Sequence, residues 1–129
     1  MRLLLDTHAL IWWWANDRRL SDNGMALIGA PENMILISPV SAWEIATKFR
    51  IGKLPGAEEG VANFAAWTMR DAFQPLTITL NHALMAGGFS APHADPFDRM
   101  LAAQAMVEGI PILSCDTALD VFGCQRIWE

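Results

Sequence analysis

The sequence predicts an α/β fold: a mostly parallel central sheet with helices on both faces. Three observations carry that reading. Short continuous apolar runs at Leu3-Leu4-Leu5, Met34 to Ser38 and Ile112 to Cys115 have the character of strands buried on both sides. Between them lie stretches whose apolar residues recur at helical spacing. Strands and helices alternate along the chain, the order that builds a parallel sheet covered from above and below.

In order, residues 2–5 predict the first strand, and Thr7 to Ala15 a helix with Leu10, Ile11 and Trp14 facing the core. Ser21 caps a second helix running to about Ile28. After the second strand, Ser41 and Glu44 form a capping-box pattern that opens a helix with Trp43, Ile45 and Phe49 on its apolar face. Residues 57–72 predict one amphipathic helix, with Val61, Phe64, Ala65, Trp67 and Met69 inward. Leu76 to Leu80 alternates at period two and predicts a strand, followed by a short helix from His82 to Ala86 ended by Gly87-Gly88. Asp95 caps and Pro96 starts a helix to Glu108, stopped by Gly109 and Pro111. A strand at Ile112 to Cys115, a helical turn from Thr117 to Phe122 and a strand at Arg126 to Trp128 finish the chain.

The 129 residues suit a single domain, 1–129, with 53% hydrophobic and 18% charged residues, which argues against disorder. No apolar stretch reaches the roughly 18 residues of a membrane span, and the N-terminus does not read as a signal peptide. Cys115 and Cys124 make neither a disulfide framework nor a zinc spacing. The expectation is a cytoplasmic protein without membrane association. A net charge of −5 argues against a broad basic nucleic-acid-coating surface but not against a nuclease whose acids hold cations.

Four acids stand where an apolar run stops or a helix starts: Asp6, Glu44, Asp98 and Asp116. Each alone is explained as a helix cap or first-turn carboxylate. Their shared place at the carboxyl edge of a parallel sheet, where ligands gather, is not explained that way. Carboxylates collected there repel one another unless a cation compensates, and hard divalent cations take oxygen ligands. Asp95, three residues before Asp98, is a further candidate, as a ligand or as a cap.

Four segments also resemble one family in its own order. They are Leu3-Leu-Leu-Asp-Thr-His-Ala-Leu10, Ser38-Pro-Val-Ser-Ala-Trp-Glu-Ile-Ala46, His93-Ala-Asp-Pro-Phe-Asp-Arg-Met-Leu-Ala-Ala-Gln-Ala105 and Ile112-Leu-Ser-Cys-Asp-Thr117. Together they resemble PIN-domain nucleases, in particular VapC-type toxins of toxin–antitoxin pairs. The resemblance implies a PIN-like α/β/α sandwich, a magnesium- or manganese-dependent endoribonuclease, RNA as substrate and a cognate antitoxin protein as partner. It implies Asp6, Glu44 and Asp98 as the central catalytic and metal-holding acids, with Asp116 as the fourth. Ala94 stands where many relatives carry a basic residue, which removes one phosphate contact.

Asp6 and Asp98 are expected to carry the metal most directly, and Glu44 and Asp116 to complete its shell. Thr7 and Ser114 are candidates for orienting a carboxylate or water. Arg99, Lys48, Arg50 and Lys53 are candidates for the phosphate backbone. His8 and His93 read as hydrogen-bonded structural histidines, because hard magnesium prefers oxygen. Trp12-Trp13-Trp14 cannot all face the core at about 100° per residue. One ring, Trp13, is therefore expected at a homodimer or antitoxin surface. Met25, Met100 and Met106 read as core filling. The alternative of a non-catalytic receiver-like signalling domain with an acidic magnesium pocket wants paired acids after the first strand and a late lysine. Here Thr7 follows Asp6 and the last lysine is Lys53.

Overall fold

A computed structural model describes residues 1–129. Five parallel strands lie in the order β3-β2-β1-β4-β5. They are β1 (Arg2–Leu5), β2 (Met34–Ile37), β3 (Gln74–Pro75), β4 (Ile112–Leu113) and β5 (Arg126–Ile127). The helices are α1 (Thr7–Ala15), α2 (Asp22–Gly29), α3 (Pro39–Arg50), α4 (Glu58–Ala62), α5 (Phe64–Arg70), α6 (Leu80–Gly88) and α7 (Pro96–Glu108), with a 3₁₀ turn at Thr117–Phe122. No helix is long and apolar enough to cross a membrane.

The continuous apolar strands are explained by burial on both faces. Leu3, Leu5, Ile35, Ile37 and Leu113 enter one core with Ala9 and Leu10 of α1, Ile28 of α2 and Ile45 of α3. Leu4, Leu36 and Ile112 point the other way, into a core with Leu101, Ala102 and Ala105 of α7 and Leu119 and Phe122 of the 3₁₀ turn. The result is the expected α/β/α layering. Each fully buried leucine of β1 contributes on the order of 2 kcal/mol.

Chain order runs outward from β1 through β2 to β3, then returns to the other side of β1 for β4 and β5. The switch point is the β1–β4 crevice, where the Asp6 amide donates to the Leu113 carbonyl at 3.1 Å.

Several elements differ from the sequence expectation. Helix α3 starts one turn early: Ser38 caps it through the Val40 amide and Pro39 takes the first position, so Ser41 is interior. Its hydroxyl accepts from Thr7 Oγ1 at 3.0 Å instead of capping. The expected helix over residues 57–72 is two short helices meeting at Asn63. Ala65 is exposed and Met69 is 80% exposed, so neither packs inward.

The expected strand at Leu76 to Leu80 stops almost as it starts. The Leu76 amide still donates to Ile37, but the Leu76 carbonyl accepts from Gln104 Nε2, and Thr79 caps α6 in a reciprocal box with His82. Leu80, at 83% exposure, is the first residue of that helix. Gly87 and Gly88 close the last turn of α6 rather than ending it beforehand. Met25 and Met106 lie at the surface, while Met100 packs on the core as expected. Helix α7 has the predicted bounds, with Asp95 as cap and Gly109 in the left-handed conformation (φ 66°) as stop.

Candidate metal centre

The carboxyl edge of the sheet gathers the acids from four elements. Asp6 ends β1 and caps α1 through the Ala9 amide at 2.7 Å. Glu44 lies in α3, Asp98 in the first turn of α7, and Asp116 follows β4 and caps the 3₁₀ turn through the Ala118 amide at 2.9 Å. Asp6 and Glu44 are 5% and 3% exposed.

Their charges act on one another. Burial raises the Asp98 carboxyl above its ordinary range; the His93 bond opposes this, while Asp95, Asp116 and Glu44 push it further up. Burial likewise raises Asp6 to about 6, against the pull of the Ser114 hydroxyl, the Ala9 amide and His8, with Asp98 adding to the rise. The acids therefore share one field, as a cation site requires.

Each acid is held through one oxygen. Asp98 Oδ2 pairs with His93 Nε2 at 2.8 Å, Glu44 Oε2 with Lys48 Nζ, and Asp116 Oδ1 with the Ala118 amide. Asp95 Oδ1 accepts from the Phe97 and Asp98 amides, so Asp95 is a cap in this structure. The second oxygen of Asp98, Glu44, Asp95 and Asp116 makes no hydrogen bond within the protein. No three of the His, Cys, Asp and Glu side chains stand close enough together to enclose an ion directly. The donor set fits a hard cation that takes one or two carboxylates directly and keeps much of its water, as magnesium does.

Lys48 and Arg99, expected at the phosphate backbone, are both bonded within the protein. Burial opposes the Lys48 charge, yet the bond to Glu44 and the charges of Glu44, Asp95 and Asp98 raise its pKa overall. Lys48 is thus the internal counter-ion of the cluster. Arg99 donates to five carbonyls, those of Ala86, Gly87, Phe89, Ala91 and His93. It clasps the segment between α6 and α7, and its hold on His93 reaches Asp98 through the imidazole. Arg50 and Lys53 make no ion pair. His93 is hydrogen-bonded, as expected, whereas His8 is exposed beside Trp12.

Ser114 and Thr7 take different parts. The Ser114 hydroxyl accepts from the Asp116 amide at 3.0 Å and lies beside Asp6, linking two of the acids. Thr7 is buried against Ser41 and orients no acid. Sequence reasoning missed Arg126, which pairs with Asp120 and donates to the Ser114 carbonyl at 3.1 Å, holding the strand end. It also placed Trp43 on an apolar face, whereas Trp43 is 60% exposed. The available signal was that Trp43 and Phe97 each directly precede an acid, and their rings meet edge-on.

The tryptophan triplet also differs from expectation. All three rings are partly buried, and the indole N–H groups of Trp13 and Trp14 both donate to Asp71 Oδ2, at 3.2 and 2.9 Å. Trp13 therefore serves an internal contact.

Residues 3–123 match the family model described as the PIN domain. Among solved structures, the chain is similar to VapBC2 from Rickettsia felis, described as bound to a DNA fragment from its promoter. The TM-score is 0.72 and the identity 14%, with 100% of both chains covered. It is also similar to VapBC-1 from nontypeable Haemophilus influenzae, with TM-score 0.69 and 16% identity over 98% of this chain and 97% of that one. For FitAcB from Neisseria gonorrhoeae the TM-score is 0.66 and the identity 13%, over 97% and 96%. No curated protein matches the sequence.

Proposed function

The chain belongs to the PIN-domain family, and on that premise we propose that it is a divalent-metal-dependent endoribonuclease acting as the toxin of a toxin–antitoxin pair. The observation that carries the chemistry is the shared field of Asp6, Glu44, Asp98 and Asp116, drawn from four elements to one sheet edge. The resemblance of the four segments to VapC-type toxins supports RNA as substrate. That resemblance and the likeness to VapBC2 and VapBC-1 support an antitoxin protein as partner. Residues 1–129 act as one catalytic domain in this reading.

Magnesium or manganese in this site would neutralise charge on the phosphate oxygens and make water a stronger acid. The chain's own residues do the positioning. Asp6 and Asp98, whose carboxyls burial raises, would hold the ion most directly. His93 fixes one oxygen of Asp98 and leaves the other for it. Glu44 and Asp116 would complete its shell, partly through water. Lys48, held on Glu44, supplies a positive charge within the field that opposes repulsion of an anionic substrate.

The test is cleavage of purified RNA with magnesium by wild type, Asp6→Asn and Asp98→Asn. The expected result is cleavage by the wild type and a loss of about a hundredfold or more in each variant, the scale of removing one charge-stabilising group. Near wild-type rates in either variant would remove that residue from the reaction.

A further inference from the structure

We propose that Trp43 is a stacking platform for a nucleobase of single-stranded RNA beside the acidic cluster. The inference rests on the nuclease reading and adds to it a residue that grips the substrate.

Trp43 is the one aromatic side chain exposed to solvent by more than half of its surface. Its ring is nevertheless fixed: it meets Phe97 edge-on, with centroids 4.9 Å apart and planes at 79°. Such edge-to-face pairs hold an indole in place at the cost of little exposed area. Trp43 directly precedes Glu44 in α3, and Phe97 directly precedes Asp98 in α7. The aromatic pair thus bridges the two helices that bring those acids to the site.

The cations around the cluster explain why a neutral grip is needed there. Lys48 is held by Glu44, Arg99 by five carbonyls, and Arg126 by Asp120 and the Ser114 carbonyl. The chain carries a net charge of −5. A polyanion approaching this edge finds few free positive groups on the protein. Stacking does not depend on charge, and every base presents a π-face to an exposed indole. A preformed aromatic surface one residue from two of the acids is where that contribution fits.

The test uses the full chain and a single-stranded RNA oligonucleotide carrying 2-aminopurine. Wild type, Trp43→Phe, Trp43→Leu and Trp43→Gln are compared in cleavage kinetics and in direct binding read by the fluorescence of the probe base. Melting temperatures verify that each variant is folded, which the exposure of the position favours. Trp43→Leu and Trp43→Gln are expected to raise KM and Kd about tenfold or more, within the range for loss of one stacked base. The kcat value is expected to stay within about twofold of wild type, and Trp43→Phe to keep most of the affinity. An apolar packing role or a protein-anchoring role leaves RNA affinity unchanged in the leucine variant. Unchanged RNA affinity in Trp43→Leu, with or without a loss of association with a partner protein, would overturn the proposal. If the wild type cleaves no RNA, the nuclease reading fails, while quenching of the probe base by wild type and not by Trp43→Leu still decides the stacking.

Discussion

Arg99 shows how a single residue can serve a site by holding the backbone around it. It follows Asp98, and its position alone suggested a phosphate contact. Its planar fork instead matches the carbonyls that α6 leaves unsatisfied at its C-terminus and those of the following segment. A lysine, as a point charge, cannot reproduce that fork. Arg99→Lys and Arg99→Ala are therefore both expected to lower stability, by about 2–3 kcal/mol for alanine. Urea unfolding measures this, and a variant as stable as wild type would show that the clasp is not structural. The sequence could not show this role, because five carbonyl partners are defined only once α6, the segment and α7 are packed together.

At the scale of elements, Asp71 joins α5 to α1. Burial alone would raise its carboxyl, but the bonds from Arg70, Trp14 and Trp13 outweigh it and hold the group below its ordinary range. A depressed carboxyl stabilises the fold above the unfolded-state value near 4 and loses that contribution as pH falls through the folded value. Asp71→Asn is expected to cost about 1–2 kcal/mol at pH 7. The gap to wild type closes on acidification, as followed by tryptophan fluorescence in urea. A gap that persists unchanged at low pH would assign the effect to packing instead.

Elements differed in how well they could be read in advance. Helix α7 was legible because Asp95, Pro96 and Gly109 are local signals whose meaning does not depend on neighbours. The strand expected at Leu76 to Leu80 failed because Gln104 and Thr79, not the alternation of residues, decide where the chain leaves the sheet. The tryptophan triplet was misjudged for a related reason: Phe64 and Trp67 of α5 pack on Trp14, Phe73 packs on Trp13, and Asp71, just after α5, is the shared acceptor.

For the whole molecule, the sheet order places β1 beside both β2 and β4, and so brings the ends of these strands to one edge. Asp6, Asp98 and Asp116 were legible because each follows a strand or opens a helix, whereas Glu44, read in an opening turn, lies in the second turn of a helix that starts at Pro39. What could not be read was their occupancy: Lys48 on Glu44, His93 on Asp98 and the cap bond of Asp95. These bonds leave single carboxylate oxygens without a partner in the protein. The raised Asp6 and Asp98 carboxyls bear on stability as well. In the folded state both hold their protons more tightly than in the unfolded chain, so the contribution of Asp6 declines as pH rises from about 4 through about 6, and that of Asp98 declines in the same direction. A bound divalent ion opposes that decline, so stabilisation by magnesium is expected to grow over the same interval.

The most direct test of the shared site is isothermal titration of magnesium or manganese at neutral pH into wild type, Asp6→Asn, Glu44→Gln, Asp98→Asn and Asp116→Asn. The account predicts saturable binding by wild type. It predicts affinity lower by about tenfold or more in the Asp6 and Asp98 variants, with smaller losses at Glu44 and Asp116. Absence of binding by wild type, or affinity unchanged in all four variants, would contradict it.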